Sequence, residues 1–219
     1  MIKCCVFDLD GTLLSTLDTI TLHLNNTLRH EGLLEITVEE CRAFIGDGAR
    51  KLVARAVGKS GDVNAAVFER ILATYNEAYN NDPLPLTEPY PGVTSLVIAL
   101  VRQGYHLVVV TNKPERTAKK LVEHFFNDSF DLVVGGRAGA VLKPDPTDTL
   151  NAIAELGCSP SETAFIGDTS VDVLTAKNAA VALSVGVSWG FREISELVGA
   201  GADLIIDKAC DLIYELEKR

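Results

Sequence analysis

The pattern of apolar and polar positions divides the chain into two kinds of segment. Short apolar runs rich in β-branched residues recur along most of the sequence, at 2–7, 106–110, 132–134, 164–166, 181–185 and 204–206. Runs of this length are typical of buried strands. Apolar residues at helical spacing lie between most of them. This alternation predicts an α/β fold with a doubly wound parallel sheet and helices on both faces.

Residues from about 15 to 80 show only the helical pattern. Leu17, Ile20, Leu24 and Leu28 mark one apolar face, and Ser15 with Asp18 has the spacing of a capping box. Further helices are predicted over 38–44, 49–57 and 63–79.

A proline-rich stretch follows this helical segment. Four of the 8 prolines fall within residues 83–91, which predicts an extended linker. We therefore predict an inserted helical domain, residues 15–83, and a core domain of residues 1–14 and 84–219. Two connections between the domains would suit a hinged lid.

The composition limits the classes of partner. Of 219 residues, 47% are hydrophobic, which is enough for a packed core. Lys and Arg total 20 against 30 Asp and Glu, so the formal charge is −10. An acidic chain is a poor partner for a nucleic-acid backbone or an anionic membrane, although a basic pocket remains open. No apolar run approaches the roughly 18 residues of a membrane span.

The five cysteines are scattered and form no C-x-x-C pair. We interpret them as reduced thiols, which predicts the cytoplasm. The four histidines lack the spacing of a zinc site. The amino terminus enters a strand directly, so we expect no signal peptide. The sequence leaves a monomer and a homodimer equally open.

The first apolar run ends in two carboxylates, Asp8 and Asp10, followed by Gly11. The carboxyl end of a parallel strand is where open α/β sheets place their ligands. Asp-Gly between apolar residues is also a strong hairpin signal. The two interpretations are compatible, because a strand can carry a functional acid and then turn.

Later strand ends and the loops beyond them also carry polar groups, namely Thr111, Asn112, Lys143, Asp168 and Asp172. Three of them have a plain alternative, whereas Asp168 has no evident structural role. Asn112 could cap a helix that begins at Pro114, Lys143 could lie in solvent, and Asp172 could form a capping box with Thr169.

In a parallel sheet these strand ends face one crevice. Four carboxylates gathered there would repel one another unless a cation lay among them, and all-oxygen ligands beside phosphate favour Mg²⁺. The hydroxyl of Thr111, the backbone N–H of Asn112 and the ammonium of Lys143 are phosphate-binding groups.

With these residues in place, the chain resembles the haloacid dehalogenase superfamily of phosphatases over nearly its whole length. Residues 8–13 (DLDGTL) resemble the first motif, Thr111-Asn112 the second, Lys143 with its flanking prolines the third, and Gly167-Asp168 with Asp172 the fourth. The helical segment resembles the helical-bundle cap of the superfamily. Stretches 45–48, 111–114 and 187–192 are similar to the phosphoglycolate phosphatases within it.

The resemblance implies a mechanism for phosphate monoesters of small metabolites. Asp8 would be the nucleophile that forms an aspartyl-phosphate, and Asp10 the general acid and base. Mg²⁺ would be held by Asp8, the Asp10 carbonyl and Asp168. Thr111, Asn112 and Lys143 would bind the phosphate. Asp172 would orient a metal-bound water or Lys143.

If the substrate is 2-phosphoglycolate, its carboxylate needs a partner in the cap. Gly46, Gly48 and Arg50 could supply N–H groups and a positive charge. A pyrophosphatase, a sugar phosphatase and a phosphomutase of the same superfamily remain alternatives. So does a phosphate-binding protein that has lost catalysis.

Overall fold

The computed structural model describes residues 1–219, which divide into two compact units. The first contains Met1–Ser15 and Pro89–Arg219, and the second is Thr16–Glu88. We expected the crossings after residues 14 and 83. The stretch before Glu88 instead belongs to the helical unit, because the Thr19 hydroxyl accepts a hydrogen bond from the Leu86 N–H (3.1 Å) and lies 2.9 Å from the Thr87 hydroxyl.

The chain forms eight strands. They are β1 (Cys4–Phe7), β2 (Leu14–Ser15), β3 (Glu88–Pro89), β4 (His106–Pro114), β5 (Leu132–Gly136), β6 (Thr163–Gly167), β7 (Leu183–Val187) and β8 (Leu204–Ile206). β2 and β3 pair with each other as a separate two-stranded sheet, at the two points where the chain passes between the units.

The chain also forms ten α-helices. They are α1 (Leu17–His30), α2 (Val38–Phe44), α3 (Ala49–Gly58), α4 (Ala65–Asn81), α5 (Val93–Arg102), α6 (Glu115–Phe126), α7 (Thr147–Glu155), α8 (Ser170–Asn178), α9 (Ile194–Ala200) and α10 (Asp211–Glu217). None of them is both long and apolar enough to cross a membrane.

The first unit is built on a six-stranded sheet with the order β5-β4-β1-β6-β7-β8. Every neighbouring pair is parallel, and Val6 of β1 lies opposite Val108 of β4 and Phe165 of β6. The strand order reverses at β1, which makes the carboxyl ends of β1 and β6 the topological switch point. This confirms the predicted doubly wound α/β fold.

The sheet is covered on both faces, as a parallel sheet requires. All four residues of β1 are buried, although successive side chains point to opposite sides. One face packs Val6, Val108 and Phe165 against apolar side chains of α7 and α8. The central strand is therefore held by packing on both of its faces, which fixes the position of the residues that follow it.

Of three predictions about where helices begin, two are wrong and one is confirmed. The capping box predicted at Ser15 is absent, since Thr16 precedes α1 and makes no side-chain cap bond. The helix predicted to start at Pro114 begins at Glu115, because β4 extends through Pro114. The capping box between Thr169 and Asp172 is present.

The second unit contains α1 to α4. The predicted apolar face of α1 is confirmed, since Leu17, Ile20, Leu24 and Leu28 are all buried. α1 packs against α2 and α4, and α3 packs against α2 and α4. Amphipathic helices of this kind bury one stripe each and leave the other face polar.

Candidate active site

Asp8 stands at the centre of the sheet edge, directly after β1. Its backbone N–H donates to the Ile166 carbonyl at 2.9 Å, so Asp8 continues the pairing with β6. The chain then turns at Gly11, which has a φ of +85°. β2 pairs with β3 and not with β1, so the turn does not form a hairpin. The prediction of a functional acid followed by a turn fits this geometry.

Asp168, at the end of β6, is fully buried and held by two hydrogen bonds. The Thr12 hydroxyl donates to its Oδ1 at 3.1 Å, and the Phe191 N–H donates to its Oδ2 at 2.8 Å. The indole of Trp189 in turn donates to the Thr12 carbonyl at 3.0 Å. The residues after β1 and after β7 together fix the Asp168 carboxylate.

Two glycines make room for that carboxylate. A Cβ at Gly11 would lie 2.3 Å from Asp168 Oδ2, and a Cβ at Gly190 would lie 2.2 Å from its Cβ. No side chain fits at either distance. The glycines therefore serve close packing around Asp168, which supplies the structural duty that sequence reasoning could not give this residue.

Asp172 has two roles that sequence analysis treated as alternatives. Its Oδ2 accepts from the Thr169 N–H at 3.0 Å, as in a capping box, and also from the Thr169 hydroxyl at 2.7 Å. Its Oδ1 accepts from the Lys143 ammonium at 2.6 Å. The first turn of α8 thus presents one oxygen to its own backbone and the other to the site.

Lys143 is buried, and the alternative of a solvated lysine is wrong. Its Nζ lies 2.9 Å from Asp8 Oδ1 and 2.6 Å from Asp172 Oδ1, with the Phe165 ring centroid 5.6 Å away. Its side chain is 4% exposed. Burial opposes the charged form, but the two carboxylates outweigh it and raise the pKa of Lys143, so the ammonium stays charged.

The carboxylates of Asp8, Asp168 and Asp172 form one cluster, whose candidate ligand oxygens all lie within 4.8 Å of one another. Burial raises the pKa of Asp8 to about 6, with Lys143 opposing and Asp172 adding to the rise. Burial, Asp172 and Asp8 raise the pKa of Asp168 well above its usual value. One ammonium does not balance three buried acids, so further positive charge is needed.

A divalent cation fits this cluster. Asp8 Oδ1 is buried, and the Lys143 ammonium 2.9 Å away is the positive group paired with it. A buried carboxylate oxygen is costly unless positive charge is paired with it, and this one ammonium also pairs with Asp172. The donors are all oxygens, which suits a hard ion such as Mg²⁺.

Asp10 is placed differently from the other acids. The Lys113 ammonium contacts both of its oxygens, at 2.8 Å and 2.9 Å. The predicted metal role of Asp10 therefore depends on its backbone carbonyl. The side-chain cluster contains Asp172 in place of Asp10, because the first turn of α8 directs Asp172 toward Lys143.

Lys113 is the residue that sequence reasoning missed. Its side chain is 2% exposed, and burial lowers its pKa while Asp10 and Asp8 oppose that shift. The sequence signal that could have identified Lys113 is the two-residue period of a strand, which places Thr111 and Lys113 on the same face. Both are buried, whereas Asn112 between them is only half-buried.

The predicted phosphate-binding residues of β4, Thr111 and Asn112, lie at the same edge of the sheet. Thr111 is buried, and its hydroxyl accepts from the Lys113 N–H at 3.3 Å. The side chain of Asn112 bonds to the backbone of Lys143 at both of its ends. A phosphate role for Asn112 would thus fall to its backbone N–H, and its side chain does not cap α6.

The predicted substrate-binding residues of the helical unit lie just before α3 and in its first turn. Gly46 and Gly48 have φ values of 117° and 87°, and Gly48 precedes α3. The Arg50 guanidinium pairs with the Glu69 carboxylate and lies 5.1 Å from the centroid of the Phe68 ring. Its charge is already partly balanced in this structure.

Replacing Asp168 with Asn should separate cation binding from folding. Asn keeps the size of the side chain, and its carbonyl can accept from the Phe191 N–H while its NH2 donates to the Thr12 hydroxyl. It removes one of three buried acids, so metal-free Asp168→Asn should melt at a higher temperature than the metal-free wild type. For the wild type, Mg²⁺ at 100 times its Kd should raise the free energy of unfolding by about 2.7 kcal/mol. This corresponds to an increase of roughly 5–10 °C in Tm. The variant should lose that shift. Thermal melts in EDTA and in Mg²⁺ measure both effects, and a full Mg²⁺ shift in the variant would contradict the assignment.

Replacing Gly190 with Ala should weaken the cation site through the same carboxylate. The added Cβ would overlap Asp168, so Mg²⁺ affinity should fall roughly tenfold or more. Trp189, the only tryptophan, allows the titration to be followed by fluorescence. Gly199→Ala is the matched control, since a Cβ there meets nothing within 4 Å. Equal Mg²⁺ affinity in the two variants would contradict the packing argument.

Comparison with known proteins agrees with the resemblance noted in the sequence. Residues 5–185 match the model of the haloacid dehalogenase-like hydrolases. A phosphoglycolate phosphatase of Rhodospirillum rubrum is 37% identical over 207 residues, which cover 91% of this chain and 86% of that protein. One from Chromobacterium violaceum is 33% identical over 220 residues, with 99% and 97% covered. The crystal structure of a predicted phosphoglycolate phosphatase from Haemophilus somnus superposes with a TM-score of 0.92 at 27% identity, covering 98% of this chain and 97% of that one. With the geometry and these similarities together, the chain belongs to the haloacid dehalogenase-like hydrolase family.

Proposed function

We propose that this protein is a Mg²⁺-dependent phosphatase that hydrolyses the monoester of a small metabolite, and that 2-phosphoglycolate is its substrate. The observation that carries the proposal is the Lys143 ammonium between Asp8 and Asp172, beside Asp168, at the switch point of the sheet. Relatives named phosphoglycolate phosphatase cover nearly the whole chain and support the choice of substrate.

Asp8 is the proposed nucleophile. Its carboxylate oxygen would attack phosphorus, form an aspartyl-phosphate and displace the alcohol oxygen of the substrate. Lys143 contacts the same carboxylate and keeps a positive charge there, which favours the ionised form of Asp8 and offsets the charge of the phosphoryl group. The Thr111 hydroxyl and the Asn112 backbone N–H are the proposed donors to the phosphoryl oxygens.

Asp10 is the proposed general acid and base. It would protonate the departing oxygen and later take a proton from the water that hydrolyses the aspartyl-phosphate. Lys113 contacts both oxygens of Asp10 and so restricts where that carboxylate points. The position of this acid is thereby set from β4, the strand that also carries Thr111.

The residues that would hold Mg²⁺ are Asp8, Asp168 and the Asp10 carbonyl, with Asp172 close enough to contribute. When bound, the ion would neutralise negative charge on the phosphate and on the clustered acids. Enzymes accelerate the slowest monoester reactions by up to ~10²¹, or about 29 kcal/mol at 1.36 kcal/mol per tenfold. No single group supplies that, so we expect an ion and two lysines to share it.

Phosphate release tests the proposal directly. The purified protein should release phosphate from 2-phosphoglycolate in Mg²⁺ and not in EDTA, and faster than from sugar phosphates or pyrophosphate. Asp8→Asn should abolish turnover, and the variant should still unfold in a cooperative thermal transition, which shows that it is folded. Faster release from pyrophosphate or a sugar phosphate would assign another substrate. Isomerisation of a sugar phosphate without release would indicate a mutase, and no turnover at all would indicate a binding protein.

Arg50 is the proposed partner of the substrate carboxylate in the helical unit, together with N–H groups near Gly46 and Gly48. Arg50→Ala should raise KM for 2-phosphoglycolate roughly tenfold, the loss of about 1.4 kcal/mol of a charged contact, and change KM for an uncharged ester little. Glu69→Gln is the matched control, because it frees Arg50 from its present partner and should not raise KM. Equal losses on both substrates would remove Arg50 from the specificity site.

The cytoplasm is the proposed compartment. All five cysteines are unpaired, and three of them, Cys4, Cys5 and Cys41, are buried. Unpaired thiols are typical of a reducing environment.

A further inference from the structure

The side chain of Asn112 makes two hydrogen bonds to the backbone of a single residue, Lys143. Its Oδ1 accepts from the Lys143 N–H at 2.8 Å, and its Nδ2 donates to the Lys143 carbonyl at 3.2 Å. The two residues are 31 positions apart in sequence. The carboxamide therefore pairs with Lys143 in the way one peptide group pairs with another across two strands.

Lys143 needs such a partner because it lies in an irregular segment. β5 ends at Gly136 and α7 begins at Thr147, so no helix or strand fixes the residues between them. The Asn178 amide also holds this segment, by donating to the Pro144 carbonyl at 2.9 Å. Side-chain amides from β4 and α8 thus replace the ladder bonds that a regular element would provide.

The two ends of Lys143 are fixed by different groups. Asn112 holds the backbone, and Asp8 and Asp172 hold the ammonium. A lysine side chain has about 2 kcal/mol of rotamer entropy, because it can adopt many rotamers. If the backbone of Lys143 moved by about 1 Å, the present rotamer would no longer place the ammonium between the two carboxylates, and other rotamers would be populated. A misplacement of that size in a catalytic site can cost about 10²-fold in rate.

We infer that Asn112 is a positioning residue whose side chain acts on the reaction only through Lys143. The inference builds on the proposed phosphatase activity and leaves the backbone N–H as the proposed contact of Asn112 with phosphate. The backbone N–H of Asn112 is unchanged by substitution, so a variant isolates the side chain. The contact also accounts for the amide after Thr111, since a carboxamide places a donor and an acceptor on two neighbouring atoms.

A double-mutant cycle tests the inference. Asn112→Ala should lower kcat for 2-phosphoglycolate between about 10-fold and 10²-fold, with a much smaller change in KM. In a Lys143→Met background the same substitution should change the remaining rate by less than twofold, because there is no ammonium left to position. Thr111→Val is the matched control at the neighbouring residue, and its effect should persist in that background.

Additive losses from Asn112→Ala and Lys143→Met would overturn the inference, as would wild-type activity in Asn112→Ala. If the Lys143→Met rate is too low to measure, a crystal structure of Asn112→Ala decides. Lys143 Nζ should then lie beyond 4 Å from Asp8 Oδ1, and an unmoved ammonium would overturn the inference.

A variant that does not fold and a wild type without activity can each be distinguished from failure of the inference. If Asn112→Ala does not fold, Asn112→Asp takes its place, because it keeps the acceptor for the Lys143 N–H and loses the donor. Failure of the wild type to release phosphate would reject the proposed function alone. The position of Lys143 in the variant crystal structure would still test the contact.

Discussion

The site depends on the balance of charge around one buried ammonium. Asp8, Asp168 and Asp172 are all buried, and desolvation alone would drive Asp8 and Asp168 toward their protonated forms. Lys143 offsets part of this cost and keeps Asp8 available as an ionised group. The remaining excess of negative charge is what a divalent cation would balance. The arrangement that lowers the stability of the folded protein without a cation would, with a cation bound, suit the phosphate dianion of the proposed substrate.

The topology of the sheet brings these groups together. β1 has β4 on one side and β6 on the other, so residues at the carboxyl ends of three different strands meet at one edge. Asp8, Thr111 and Asp168 are separated by long stretches of chain and still become neighbours. The sheet is buried on both faces, which gives the residues at its edge a fixed backbone position.

Much of this arrangement could be predicted from the sequence. Apolar runs that end in Asp8 and Asp168 indicated both the strands and the edge, because strand composition and polarity change at the same residue. The partners of Asp10 and the duty of the Asn112 side chain could not be predicted. Both depend on contacts between residues about 100 and 31 positions apart, whose side-chain directions follow from register and loop path. The second unit boundary was misplaced for a similar reason, since Thr19 holds the proline-rich segment through hydrogen bonds that no local pattern reveals.

The small ribbon of β2 and β3 has a consequence for how such proteins diversify. The helical segment leaves the core unit on one strand of this ribbon and returns on the other, so its two termini are tethered side by side. An insertion closed at its base in this way can be lengthened, shortened or exchanged without stretching the sheet. The acids at the strand ends and the surface of the helical unit can therefore change independently of each other in evolution.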